Sequence, residues 1–357
     1  MSSVEEAEQV VASMRYPPRG VRGVAKLHRG STFGLEFDEY FAHAHELLTT
    51  MEMIGMELRK AFDAKGVYVF VMTPFLSQTD RRGRPRLDTE GVARNVEHFS
   101  LVRGDKTMVV CGGSGEIASL SPSEVVDVAA AAVSGAAGRC SVVCGVRGPD
   151  RQAAKTARRI QDAGADALLI MPHDPIVKKG DHALWQRHQT IALSIDIGFL
   201  PFRAPSQTLS IDQVKRFAKM PQVVAIKEES GAVDWVRTGR RVTKDAVPFI
   251  TGGGENMVPY YYLAGAVGFT TGMANLTLPL SIKLHNAAIN GRWKEAMRLR
   301  DEFEPLTAIR QELQTPMLKA GLEMMGLAGG PVRSTGAVLG RKERVRLRTL
   351  LKKKSLI

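Results

Sequence analysis

The chain has 357 residues, 44% of them hydrophobic and 24% charged, with a formal net charge of +12. This length can bury a large core, as one big domain with appendages or two modest ones. No apolar stretch approaches the roughly 20 residues that span a bilayer, and the acidic start Met1-Ser2-Ser3-Val4-Glu5-Glu6 lacks the pattern of a signal peptide, so no membrane partner is expected.

Residues 1–50 do not share the pattern of the rest and read as an N-terminal extension. From about Gly66 onward, short β-rich runs alternate with amphipathic helical stretches. The runs are Val67–Val71, Thr107–Cys111, Ser141–Cys144, Ala167–Met171, Ile195–Leu200, Val223–Ile226, Pro248–Thr251 and Val267–Thr271. Helical patterns lie between them, among them Thr89–Leu101, Pro122–Ser134, Arg151–Ala163, Leu184–Leu193 and Ile211–Lys219. Nearly continuous apolar strands separated by helices indicate a parallel sheet covered on its faces. Eight such units predict an α/β protein, a (β/α)8 TIM barrel, over residues 58–292. The helical stretch beyond it is too long to close a barrel, so 293–357 is expected to form C-terminal helices and a basic tail.

Two compositional features bear on partners. From Arg333 to Lys354 there are nine Lys or Arg against Glu343 alone. No aromatics are interleaved for base stacking, so a solvated or interface-forming face is preferred over specific nucleic-acid binding. Cys111, Cys140 and Cys144 are an odd number and sit in or beside apolar runs. They read as reduced core thiols, which favours the cytoplasm, and their spacing does not suit a metal site.

In a (β/α)8 barrel the chemistry lies where strands end and loops begin. The sixth run ends in Ile226-Lys227-Glu228-Glu229. A lysine at the end of a buried strand is costly to desolvate. Either it pairs with an acid, or its amine stays partly neutral to attack a carbonyl. The second run leads into Gly112-Gly113-Ser114-Gly115-Glu116, where converging backbone N–H groups and a hydroxyl can cradle a carboxylate or phosphate, or merely form a tight connection. Together the two suggest a site gripping a 2-oxo acid, its carboxylate in the nest and its keto carbon at Lys227. Other strand ends supply Thr73-Pro74-Phe75, Pro172-His173-Asp174, Pro201-Phe202-Arg203, Gly252-Gly253-Gly254-Glu255-Asn256 and Gly272-Met273-Ala274-Asn275. Tyr260-Tyr261-Tyr262 fall on different helical faces and read as core or interface.

These motifs, in this order, resemble the dihydrodipicolinate synthase / N-acetylneuraminate lyase superfamily of class I aldolases and dehydratases, over about residues 60–327. The resemblance implies a TIM-barrel lyase, a homodimer or homotetramer, and a Schiff base between Lys227 and a 2-oxo acid, with no metal or other cofactor. It implies that Gly113 and Ser114 grip the carboxylate, that Thr73 shapes the pocket, and that Gly253 and Asn275 line its far side. The second loop is closer to the branch that dehydrates 5-dehydro-4-deoxyglucarate than to the usual Gly-Thr-Thr-Gly-Glu.

The family's catalytic tyrosine precedes a Pro-x-Arg element. Counting back from Pro201 places Gly198 there, with Phe199 adjacent, and neither carries a proton. Either His173 or Asp174 is then the candidate replacement acid/base, His173 having the better suited intrinsic pKa, and Arg203 is the candidate for the substrate's tail. A paralogue that binds a 2-oxo acid without efficient turnover is the alternative. Residues 1–50 resemble a fragment of the class II 4-hydroxy-2-oxoheptanedioate aldolases, consistent with a fusion remnant or an over-long start.

Overall fold

The computed structural model describes residues 58, 59 and 61–357, of which Phe62–Ile357 form one compact unit. The expectation for residues 1–50 lies outside the described residues.

Strand β1 (Gly66–Phe70) is followed by a hairpin, β2 (Phe75–Thr79) and β3 (Pro85–Leu87), then helix α1 (Thr89–Ser100). From there strand and helix alternate: β4 (Lys106–Val110), α2 (Pro122–Ala136), β5 (Ser141–Val146), α3 (Asp150–Asp162), β6 (Ala167–Ile170), α4 (Asp174–Val177) and α5 (Asp181–Ala192). The series continues with β7 (Gly198–Arg203), α6 (Ile211–Ala218), β8 (Ile226–Glu228), α7 (Val233–Thr243), β9 (Phe249–Thr251), α8 (Val258–Leu263), β10 (Gly268–Thr271) and α9 (Ala274–Ile289). Every strand except those of the hairpin joins one closed, parallel barrel in which β1 pairs with both β4 and β10. The fold is the expected (β/α)8 TIM barrel.

Its strands are buried along nearly their whole length, because the barrel interior covers one face and the helices the other. Helix starts are chemically marked. Ser121 and Glu124 close a reciprocal cap on α2, with Pro122 in its first turn, and Ser210 with Gln213 does the same for α6.

Three details differ from the sequence reading. The hairpin was not anticipated, since four of the five β2 residues are exposed and offer no apolar alternation. The fifth barrel strand ends three residues later than expected, at Arg203. The ladder of the sixth begins only at Ile226, with Val223 making a single bridge to Phe199. Lys227 therefore lies inside the strand, and Pro201-Phe202-Arg203 belong to β7 rather than to the loop beyond it.

After the barrel come α10 (Trp293–Glu302), α11 (Glu304–Met324) and α12 (Arg341–Lys353). Helix α11 is broken at Gln314, whose backbone has φ 52° and ψ −141°. Pro316 causes the break: it has no N–H for the preceding turn, and its ring disfavours helical geometry just before it. Beyond the break Met317, Leu318, Ala320 and Leu322 are buried.

Among them sits Lys319, 1% exposed, with its amine 2.5 Å from Glu116 and 2.7 Å from the carbonyl of Pro331. The backbone N–H of Arg333 donates to the other Glu116 oxygen at 2.8 Å, and its guanidinium pairs with Glu124 at 2.6 Å. The C-terminal helices thus clamp the Gly112–Glu116 loop. Part of the basic tail is also engaged, Arg344 with Glu323 and Arg346 with Glu312. Among the described residues no helix is long and apolar enough to cross a membrane.

Removing one member of a buried ion pair strands the other, typically at about 3–5 kcal/mol. Lys319→Met is expected to lose stability of that order in urea unfolding, and the double variant Lys319→Met/Glu116→Gln to regain much of it.

Candidate active site

The C-terminal ends of the barrel strands surround a cavity of about 340 Å³. Its floor is Lys227, 2% exposed, the inward-facing residue of β8. The amine lies 4.3 Å from the ring centre of Phe70 and 3.9 Å from that of Phe202, contributed by β1 and β7. Among the described residues its one acidic partner is Glu229, at 2.5 Å. Alternation along a strand puts residues 227 and 229 on the same side. Burial lowers the lysine's pKa, and the Glu229 carboxylate opposes that shift.

Glu228 points the other way and is wholly buried. One of its oxygens accepts from the N–H and hydroxyl of Ser230, the N–H of Ala232 and the hydroxyl of Tyr261. The other pairs with Arg203 at 2.7 Å. This corrects the expectation for Arg203. Its charge is already answered by Glu228, it stacks on Trp235 at 4.8 Å, and it lies off the cavity wall.

Gly113, Ser114 and Gly253 line the cavity. A methyl group built on Gly272 would stand 3.2 Å from the Ser114 hydroxyl, so glycine there keeps the serine's side of the cavity open. Thr73 does not touch the cavity but donates to the carbonyl of Gly115 at 2.6 Å, pinning the same loop.

Asn275 is likewise off the wall. Its amide accepts from the N–H of Met72 and donates to the carbonyls of Phe70 and Gly272, sewing the first strand to the last. A fully buried amide there satisfies backbone groups rather than substrate.

His173 is not at the lysine. It faces a separate hollow with Arg147, Gln152 and Thr156, and burial with nearby Arg187 and Arg147 lowers its pKa. The fourth barrel strand instead presents Met171 to the cavity. The tyrosine position is corrected as well. Gly198 starts β7 opposite Ala167, at the far end of the barrel, whereas Phe202 pairs directly with Lys227. Phe202 precedes Pro205 by three residues, as Gly198 precedes Pro201. The aromatic ring is retained beside the amine, and the hydroxyl is absent.

One titratable group, named with its strand end in the sequence, was given no role there. Glu255 lines the cavity, 4% exposed, at the start of a short helical turn after β9. Gly253 and Gly254, with φ of 80° and 66°, turn the chain so that it enters. Ser281 donates to its carboxylate at 3.1 Å. Burial raises its pKa, against hydrogen bonds from the Thr271 and Ser281 hydroxyls. The only local signal was a carboxylate after three glycines at a strand end. The wall is completed by Thr307, Arg310, Gln311 and Gln314 of α11.

A desolvated amine with one acid beside it, a serine and a glycine on the same cavity wall, and a buried carboxyl whose pKa is raised can together capture a carbonyl compound bearing a carboxylate. The family model described as the dihydrodipicolinate synthetase family matches residues 63–354. A 4-hydroxy-tetrahydrodipicolinate synthase of Methanothrix thermoacetophila is 30% identical, over 82% of this chain and 97% of that one. A probable 5-dehydro-4-deoxyglucarate dehydratase of Bacillus subtilis is 29% identical, over 76% and 86%.

Among solved structures, dihydrodipicolinate synthase of Oceanobacillus iheyensis superimposes with a TM-score of 0.74 at 26% identity, over 85% of this chain and all of that one. The chloride-inhibited enzyme of Acinetobacter baumannii, complexed with pyruvate, gives 0.71 at 25%, over 83% and 100%. The chain therefore belongs to the dihydrodipicolinate synthetase family, and with it to the lyases.

Proposed function

We propose that this chain is a class I lyase that binds a 2-oxo acid as a Schiff base on Lys227. The observation carrying the reading is a buried amine with lowered pKa at the floor of a cavity that Gly113 and Ser114 also line. The pyruvate complex of the Acinetobacter relative supports it. The names of relatives support both a synthase and a dehydratase. The Gly-Gly-Ser-Gly-Glu loop inclines the assignment to sugar-acid dehydration. A cytoplasmic homodimer or homotetramer belongs to the same reading.

In this mechanism the neutral amine adds to the keto carbon while Gly113 and Ser114 hold the adjacent carboxylate. The carbinolamine oxygen leaves as water after taking a proton, and the nitrogen lone pair forms the iminium. Loss of a proton from the neighbouring carbon gives an enamine, from which a β-hydroxyl is expelled as water in a dehydration. Glu255 serves as the proton carrier that Phe202 cannot be. The second reading, binding without efficient turnover, is favoured by Phe202 and Met171, neither of which can move a proton.

Borohydride reduction in the presence of pyruvate is expected to attach a reduced pyruvyl group to Lys227, read by peptide mass spectrometry, and Lys227→Ala to show none. The absence of an adduct across a panel of 2-oxo acids would sink the reading. Glu255→Gln is expected to lower turnover by about 10²–10⁴, the usual effect of losing a general acid/base. Turnover by the wild type too slow for that loss to register would favour the binding reading.

The amine reacts only when neutral, so trapping should rise with pH through the lowered lysine pKa. Glu229 raises that pKa, so Glu229→Gln is expected to move the midpoint of the trapping profile to lower pH. A midpoint that stays or rises would show that Glu229 does not set the charge on Lys227.

A further inference from the structure

We propose that Arg310 forms a second anion subsite at the wall of the Lys227 cavity, so that the 2-oxo acid taken by this chain carries a second anionic group, carboxylate or phosphate, at its far end. The proposal rests on the reading of Lys227 as the carbonyl-binding amine and specifies the substrate class.

Thr307, Arg310, Gln311 and Gln314 recur at i, i+3, i+4 and i+7 on the first segment of α11, which is one helical face, and all four line the cavity. Arg310 is the one cation among them. Several other arginines at or along the helical extension have acids: Arg292 with Glu295, Arg298 with Glu302, Arg344 with Glu323 and Arg346 with Glu312, while Arg341 and Arg348, which have none among the described residues, are exposed to solvent. Arg310 has none among the described residues, and its nearest hydrogen-bond partner is the Gln314 side-chain carbonyl at 3.5 Å.

It is also half-buried rather than swept into solvent. A desolvated cation without a counter-charge is unfavourable, and a ligand anion would answer it. The acids already in the cavity do not. Glu229 is taken by Lys227, and Glu255 is held by Ser281.

The flanking groups fit the same ligand. A guanidinium presents a planar fork that matches carboxylate or phosphate oxygens in pairs. The Thr307 hydroxyl and the two glutamine amides can meet hydroxyls on the chain between the ends. Gln314 stands at the break in α11 with a positive φ that a side-chain-bearing residue rarely adopts, a strain of the kind that collects at ligand sites. A volume of about 340 Å³ falls within the usual range of small-molecule pockets, about 300–1,000 Å³.

The test is calorimetric binding to the full chain of pyruvate, 2-oxoglutarate and 2-oxo-4-phosphonobutanoate, with Arg310→Gln and Arg310→Lys as variants. Wild type is expected to prefer at least one of the two dianions over pyruvate by roughly tenfold or more. Arg310→Gln should collapse that ratio, and Arg310→Lys should keep part of it, as a point charge without the fork. Whether the advantage is larger for the carboxylate or the phosphonate identifies the natural group, and either supports the subsite. A wild type without preference, or a ratio unchanged in Arg310→Gln, overturns it. Loss of all ligands in equal proportion assigns Arg310 a structural role and overturns it as well. Borohydride trapping on the same samples reports separately on Lys227, since the dianion preference can be read whether or not an adduct forms.

Discussion

A lysine amine removed from water must find a counter-charge or give up its proton, and the interior of this barrel is arranged around that constraint at Lys227. The aromatic faces of Phe70 and Phe202 keep water from the amine while offering it a weak electrostatic attraction. Glu229 supplies the countering charge from just past the end of the same strand, two residues on. Gly252 makes room for that arrangement, because any side chain there would collide with Glu229. Glu228, on the opposite face, is held so thoroughly by Arg203, Ser230, Ala232 and Tyr261 that it cannot compete. The result is an amine whose pKa burial lowers and Glu229 raises, among neighbours that are themselves fixed.

Lys319 shows the contrasting solution. It is as deeply buried as Lys227, yet it touches Glu116, the Pro331 carbonyl and the face of Phe75. Nothing about it is poised for reaction. It holds the loop that carries Ser114, so the helices after the barrel fix that loop as well as one wall of the cavity. The extension is therefore part of the site, not an appendage to it.

The barrel was legible because apolar runs flanked by helices have few other uses, and Lys227 was legible because a charge at the end of such a run demands a reason. What sequence could not reveal was which side chains face the cavity. Pro201-Phe202-Arg203 and Arg203-Ala204-Pro205 overlap, so a proline-based count can begin at either proline, and only the pairing of Phe202 with Lys227 decides between them. Asn275 and Arg203 are polar residues near strand ends, as ligand-binding residues would be, but their groups answer backbone carbonyls and a buried glutamate. His173 has suitable chemistry and the wrong hollow. Glu255 was hidden by the glycines that deliver it, and Arg310 comes from a helix far along the chain with no local motif to mark it.

The break in α11 has an evolutionary consequence. One half of the helix is locked into the core by Met317, Leu318 and Leu322, while the other half offers its polar face to the cavity. Substitutions at Thr307, Arg310, Gln311 or Gln314 would change the polar lining of the cavity at positions apart from Lys227 and from the buried half of the helix. On the proposed reading, a lineage could exchange one acid for another by rewriting a few positions on one helical face, so that scaffold, chemistry and selectivity would be inherited as separable parts.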